Sequence, residues 1–361
     1  MKQTIILMCI FNIILLNSLV TKKNFIPIKF DQIDLDSIAD NDLFKKYITH
    51  HEKKYIHDSK EGQLKFKQFK INLEIIKKAN KINKSYKLAL NHLSDLTHEE
   101  YVKKLGLKHD VAAILALEKK IGYIKPTILN LSNRMKIQQT QYEQKDWSSY
   151  FLDVRSQDTC GSCWAFSSTG VLEAHIAING GIKQYLSPQH LLNCDTDDQG
   201  CEGGNFPNTF NWIQANGLVS DSVLPYKNVK EATCDSSLSG QVVGKMANFD
   251  FCSISGEKKC TEDIVYGFLS SGPVNVGIDA GSADFQNYSS GVFTLATCSA
   301  SNHAVILAGY GIDANSQQQY WLVRNSWGNA WGENGFIRVL RNEENKNSCF
   351  IVQEAFVPKL V

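Results

Sequence analysis

The feature that most narrows what this chain can fold into is the placement of its cysteines. Ten are present: Cys9 stands among the first twenty residues, none falls between residues 21 and 140, and nine lie beyond residue 159. The two stretches therefore obey different rules, the first held by packing alone and the second able to cross-link. Lys2 followed by the nearly unbroken apolar run from Thr4 to Val20 matches a secretory signal peptide over residues 1–20. Seventeen residues interrupted by Asn12 and Asn17 are marginal for a span, so a signal anchor is the weaker reading. No second run approaches that length, and no stable membrane insertion is expected after signal removal. In an oxidising compartment nine cysteines leave one thiol over, either inert and buried or reactive.

Charge divides at the same boundary. Residues 21–140 carry 24 Lys plus Arg against 14 Asp plus Glu, and residues 141–361 carry 13 against 23. Net charges near +10 and −10 predict that the two halves bind each other, and no basic patch with interleaved aromatics suggests nucleic acid. The first half is helical in period. Leu64, Phe69, Leu73, Ile76 and Asn80 recur at spacings of three to five, which predicts helices at about 40–57 and 60–83, a strand near Tyr86–Leu90 and a helix opening at Thr97. From Leu105 to Glu143 the regularity fades, and Pro126 with Gln138–Gln141 reads as an extended linker and cleavage region. Beyond Asp146 the sequence is rich in Gly, Cys and Trp. A helix is predicted from Cys163 to Asn179, stopped by Gly180 and Gly181, and strands at Val274–Ile278, Ala304–Gly309, Tyr320–Asn325 and Gly335–Val339. Helices followed by strands predict an α+β fold of two lobes with a cleft between.

The chemistry concentrates in one run, Gln157-Asp158-Thr159-Cys160-Gly161-Ser162-Cys163-Trp164. A thiolate is a nucleophile, and a cysteine opening a helix has its anion stabilised by unpaired amides and the helix dipole. A base is needed beside it, and Asn302-His303-Ala304 follows 140 residues later; a group to fix the imidazole is needed too, and Asn325-Ser326-Trp327-Gly328 offers an amide 162 residues after Cys163. In this order and spacing the residues resemble the papain family, from Asp146-Trp147 to the C-terminus. The resemblance implies a papain-like fold, helical in one lobe and β-barrel-like in the other, preceded by a mainly α-helical pro-domain. It divides the chain into a signal (1–20), an inhibitory pro-segment (21–140) and a peptidase domain (141–361).

By that resemblance Cys163 is the nucleophile, His303 its acid-base partner, Asn325 the orienting amide and Gln157 an oxyanion donor, with Trp327 covering the His303–Asn325 pair. The link from Trp147 to Gln157 is about two residues shorter than is usual in the family. Gly203 and Gly204 resemble the cleft's glycine wall, and Asn205, Phe206, Gly277, Ala304 and Glu354 the pocket for the residue two before the scissile bond. A carboxylate at Glu354 implies acceptance of Arg as well as bulky apolar residues. The family's disulfides map onto Cys160–Cys201, Cys194–Cys234 and Cys298–Cys349, which leaves Cys252 and Cys260 either to close a small extra loop or to stay as two buried thiols. Glu61, Lys65, Phe69, Asn72, Ile76 and Asn80, then Ala89, Asn91, Leu93 and Asp95, resemble cathepsin L-type pro-regions, with Lys65, Ala89 and Leu93 departing from the usual residues. The implied activity is a cysteine endopeptidase made as a zymogen, activated in acid and needing no metal or cofactor. Its partners are peptide and protein substrates and its own pro-segment, and it is expected to be monomeric. The alternatives are a silent binding protein of this fold, or an exopeptidase, which the short Cys201–Cys234 stretch disfavours. A lysosome, food vacuole or the medium would suit it, and the sequons at Asn83, Asn130 and Asn287 would permit glycosylation.

Overall fold

The computed structural model describes residues 34–82, 85–121, 144–294, 298–341 and 351–360. The expected signal, most of the linker, Cys349, Asn83 and Asn130 lie outside them. Helix α1 (Asp40–His50) ends earlier than its period suggests, because the chain turns through Glu52 at φ 49°. Helix α2 (Lys60–Lys81) is capped by Ser59, whose Oγ accepts the Gly62 N–H. Strand β1 (Tyr86–Leu88) follows, then helix α3 (His98–Val102), entered through a capping box between Thr97 and Glu100. A further helix, α4 (Val111–Lys120), occupies what the sequence suggested was irregular linker. Asp110 caps it, and Ala112, Ala113, Leu115 and Leu117 are strong helix formers whose short run was too brief to show a clear period.

The spaced residues of α2 hold the chain that follows. Lys65 pairs with Glu100 at 2.6 Å, Asn72 Nδ2 donates to the Ser94 carbonyl, and Asn80 bonds both the N–H and the C=O of Leu88. Buried Asp95 gathers Lys53 at 2.8 Å and the hydroxyls of Tyr47 and Tyr55. These lysines find their partners within the first half, so the predicted attraction between oppositely charged halves is not built from them.

After β2 (Lys145–Asp146), the helical lobe comprises α5 (Cys163–Ile178), α6 (Pro188–Cys194) and α7 (Phe206–Asn216). Helix α5 is apolar on nearly every side and is buried from Cys163 to His175, which makes it the central post of the lobe. Its end matches expectation, with Gly180 in the left-handed region at φ 79°. Strands β3 (Leu218–Val219) and β4 (Val242–Gly244) form a small ribbon. Then come β5 (Asn248–Ser253), α8 (Glu262–Ser271), β6 (Val274–Ile278), α9 (Ala283–Gln286), β7 (Tyr288–Phe293), β8 (His303–Ile312), β9 (Gln319–Arg324), β10 (Phe336–Leu340) and β11 (Glu354–Lys359).

The main sheet runs β1-β7-β10-β9-β8-β6-β11-β5, with β2 beside β8. The barrel-like lobe expected from the resemblance is thus an open nine-stranded order among the described residues, with β1 and β5 at its ends. The outermost strand, β1, comes from the first half of the chain, pairing antiparallel with β7 (Tyr86 opposite Gly291). Phe44, Tyr47, Phe69 and Leu73 share one apolar cluster with Val276, Leu307, Trp327 and Trp331, so helices α1 and α2 and the sheet lobe have a common core. A second cluster joins Trp164, Leu172 and Leu191 to Phe206, Phe210 and Phe356.

Disulfides join Cys160–Cys201, Cys194–Cys234 and Cys252–Cys260, so the latter two thiols do close an extra loop. Cys298 is also disulfide-bonded, and among the described residues the free thiol is Cys163. Asn287 is fully buried: its Oδ1 accepts the Ser94 hydroxyl and its Nδ2 donates to the Ala283 carbonyl. A glycan there has no room while the first half is docked, which corrects the expectation from its sequon. No helix among the described residues is long and apolar enough to cross a membrane, and no cluster of three or more potential metal ligands is found there.

Candidate active site

Cys163 is the first residue of α5, and Ser162 before it turns its hydroxyl to Tyr226 rather than capping the helix. The sulfur is fully buried and accepts two backbone N–H groups, Ala304 at 3.4 Å and Gly106 at 3.3 Å. Ala304 follows His303 at the start of β8, and the pairings Gly277–Ala304 and Ile278–His303 hold that strand end against β6. The His303 Nε2 meets Asn325 Oδ1 at 2.8 Å, and Trp327 lies over the imidazole with ring centroids 4.8 Å apart. Asn325 is held in turn, its N–H bonded to the Gly335 carbonyl.

Gln157 is completely buried despite the shortened link from Trp147. Its Oε1 accepts the Ser326 hydroxyl at 2.6 Å and the Trp327 indole N–H at 3.1 Å. This fixes the amide so that its Nε2 is aimed at acceptors, the carbonyls of Cys160 and Lys104, each at 2.9 Å. Ser326 and Tyr226, to which the sequence assigned no role, thus join Trp327 in setting Gln157 and the Cys163 turn.

The cleft is filled by residues 104–109. The Gly106 carbonyl accepts the Gly204 N–H at 2.9 Å, Lys108 N–H donates to the Gly204 carbonyl at 2.8 Å, and Leu107 N–H donates to Asn302 O at 3.1 Å. Gly203 sits at φ 120°, and a Cβ there would lie 2.6 Å from the Gly106 carbonyl, so glycine is what lets the strand approach. Leu107 is buried against Gly277, in the cluster that holds Phe206 and Ala304. Asn205 spends its side chain capping α7 through the Asn208 N–H, so it shapes the wall from behind. Glu354 opens β11 and is buried, and His109 bridges it at 2.9 Å (Nδ1) and the Ser301 carbonyl at 2.8 Å (Nε2). Nothing in the sequence marked His109, because its role depends on a partner 245 residues away.

This packing sets the charge state. Burial pushes the Cys163 thiol above its ordinary value, only partly offset by the N–H groups of Ala304, Gly106 and Trp164. Burial takes His303 down to about 4, with Asn325 opposing and the nearby cationic Lys104 assisting. Lys104 is itself brought down to about 8 by burial. Above the His303 value and below the raised range of the thiol, the occupied cleft therefore holds a thiol and a neutral imidazole rather than an ion pair.

Residues 140–359 match the papain family of cysteine proteases, and residues 44–101 match the cathepsin propeptide inhibitor domain. The chain belongs to the papain family. Among its relatives this protease is 32% identical to the senescence-specific cysteine protease of Arabidopsis thaliana over 348 residues, covering 91% of this chain and 94% of the plant protein. It is 35% identical to cathepsin L1 of Drosophila melanogaster over 85% of this chain and 82% of the relative. The solved structure of digestive procathepsin L2 from Tenebrio molitor larval midgut superposes with a TM-score of 0.75 at 29% identity, spanning 89% of this chain and all of that one. It is a papain-like cysteine peptidase carrying a pro-segment of the inhibitor type, as the resemblance implied.

Gly106 has no space for a side chain: a Cβ would lie 1.9 Å from the Gly161 carbonyl oxygen. Overpacking of that kind costs about 1–3 kcal/mol. In unprocessed Gly106→Ala precursor, Cys163 should therefore react with a disulfide reagent about tenfold faster than in wild type; equal rates would show that residues 104–108 do not seal the sulfur.

Proposed function

We propose that this protease is an endopeptidase working through Cys163 and His303, synthesised as a zymogen and released by acid. The observation that carries the reading is the Lys104 carbonyl on Gln157 Nε2, a donor prepared for a carbonyl oxygen beside a sulfur at a helix N-terminus. In the open cleft water reaches both groups, the desolvation that keeps them neutral falls away, and the proton of Cys163 passes to His303. The thiolate attacks the scissile carbonyl carbon, and negative charge forms on its oxygen between Gln157 Nε2 and the N–H of Cys163. As the C–N bond breaks, His303 gives its proton to the leaving amine; it then takes one from the water that attacks the thioester, and collapse of that adduct expels the sulfur as thiolate beside the imidazolium, restoring the starting pair. Asn325 holds the imidazole in the needed tautomer.

The pro-segment occupies this machinery without offering it a bond to cut. The carbonyl on Gln157 belongs to Lys104, whereas the group against the sulfur is the N–H of Gly106, two residues on. An amide hydrogen at Sγ presents no electrophilic carbon. The pro-segment continues past the sulfur in both directions, from Tyr101 of α3 beside Trp327 to His109 on Glu354, which supports cleavage within chains rather than at their ends. Glu354, reached by a cationic-capable side chain, supports a pocket that takes Arg as well as bulky apolar residues. Entry to the secretory pathway, and action in a lysosome, food vacuole or the medium, fit the leader and the disulfides.

A thiol-directed epoxide peptide should label the acid-processed protein and fail on Cys163→Ala. Gln157→Ala should keep the label while losing about 10²–10³ in kcat, measured on a dipeptidyl substrate. The reading fails if Cys163→Ala retains hydrolysis. If Glu354→Ala leaves the Arg-to-Phe preference unchanged, that carboxylate is not the pocket floor.

Acid release is supported by the charge division, since protonating carboxylates of the peptidase half weakens attraction to the Lys-rich half. The His109–Glu354 pair works against it. The hydrogen bond to Glu354 raises His109 above its ordinary value, so the contact is complete below the free imidazole's range and is lost as pH rises through the raised one. It tightens on going from neutral to mildly acid. His109→Ala precursor should consequently process several-fold faster at mildly acid pH, with less change at pH 7.5, followed by gel. Wild-type processing at equal rates at pH 4.5 and 7.5 would discard the acid trigger.

A further inference from the structure

Helix α4 lies outside both family matches, which cover residues 44–101 and 140–359, yet it buries a carboxylate that catalysis does not use. Glu118 is 6% exposed; its Oε1 accepts the Lys258 N–H at 2.8 Å and its Oε2 the Glu257 N–H at 2.9 Å. Both donors belong to the turn between β5 and α8, which the Cys252–Cys260 disulfide closes at its base. The turn is braced by bonds that do not involve Glu118: Ser253 N–H to Lys258 O at 2.9 Å, Gly256 N–H to Ser253 O at 3.2 Å, and Ile254 N–H to Gln353 O at 2.8 Å. Gly256 leaves the space for the carboxylate, since a Cβ there would fall 2.4 Å from Glu118 Oε1 and 2.9 Å from Ile114 Cγ2. Ile114 and Leu117 are buried in the same cluster as Phe206, Phe210 and Phe251, and Lys120 Nζ donates to Asn211 Oδ1 on α7. The helix thus lies between α7 and the turn, next to the end of the cleft that His109 enters.

Once the pro-segment leaves, two aimed amide donors and an apolar trough remain without their occupant, and the disulfide keeps the donors in place. We propose that in the mature enzyme this turn is a carboxylate-binding exosite. Its ligand is a helical segment of a protein substrate bearing apolar residues at positions i and i+3 and a Glu or Asp at i+4, the pattern of Ile114, Leu117 and Glu118. Docked there, such a segment is held beside the cleft and raises the local concentration of the bond to be cut. This rests on the peptidase reading for the catalytic benefit, whereas the binding itself does not.

The probe is a dye-labelled peptide of residues 110–121, cross-linked to hold its helix because so short a helix is marginal in water. Binding to acid-matured enzyme is read by fluorescence anisotropy. The expected result is saturable binding that weakens about tenfold for the Glu118→Gln peptide, the loss appropriate to charge-assisted hydrogen bonds. Gly256→Ala enzyme should lose that discrimination between the two peptides. Hydrolysis of a dipeptidyl substrate should be unchanged by the peptide and by Gly256→Ala, which also certifies the variant's fold. Absent saturable binding, or equal affinity for the two peptides, overturns the exosite. Failure of Cys163 labelling in the same preparation would count against the peptidase reading and leave the anisotropy result to stand separately.

Discussion

The sulfur of Cys163 sits between two backbone amides, Ala304 from the sheet lobe and Gly106 from the pro-segment, and the rest of the structure is arranged around that contact. The Ala304 amide brings β8 to the N-terminus of α5, and so carries His303 to the lobe that holds the thiol. Gly106 brings the pro-segment to the same atom. Because both contacts are main-chain, they depend on strand register and on close approach rather than on side-chain chemistry. The glycines at 161, 203 and 204 are where that closeness is paid for.

On the mechanism proposed above, inhibition is largely a matter of solvent. The pro-segment fills the cleft with its own backbone, satisfies the Gln157 donor with the Lys104 carbonyl and removes water from Cys163 and His303. Each group in isolation then prefers its neutral form, because charge is costly in a dry interior. In the proposed open state the same two residues, rehydrated and facing an extended peptide, would have the helix dipole and the Asn325 contact to favour the ion pair. Under that proposal one set of atoms has two electrostatic states, chosen by whether residues 104–109 are in place.

How much of this was readable beforehand follows from which contacts are made by side chains. Cys163, His303, Asn325 and Gln157 stand in short runs whose order and spacing carry meaning, and the helix that Cys163 opens is marked at its end by Gly180 and Gly181. Lys65, Phe69, Asn72, Ile76 and Asn80, flagged by their resemblance to cathepsin L-type pro-regions, include the side chains with which α2 holds residues 88–100, whereas Leu64 of the apolar period stays exposed. Residues 104–108 were silent, since the groups used are a carbonyl and N–H groups that any sequence supplies. Helix α4 was hidden by its brevity, and the early end of α1 by a turn at Glu52 that periodicity does not register. The charge division was legible, but not that Lys53 and Lys65 would be satisfied by Asp95 and Glu100 nearby. Asn287 carries a sequon, yet burial against Ser94 could be known only from the docked fold.

The most direct test of this account is an ultraviolet titration of thiolate absorbance, comparing unprocessed precursor with acid-matured protein and using Cys163→Ala of each as blank. The account predicts that the matured protein shows a Cys163 thiolate from mildly acid pH upward, paired with imidazolium. The precursor should show none until pH exceeds the ordinary range of a thiol. A precursor already carrying the thiolate at neutral pH would contradict the claim that burial by the pro-segment holds the pair uncharged.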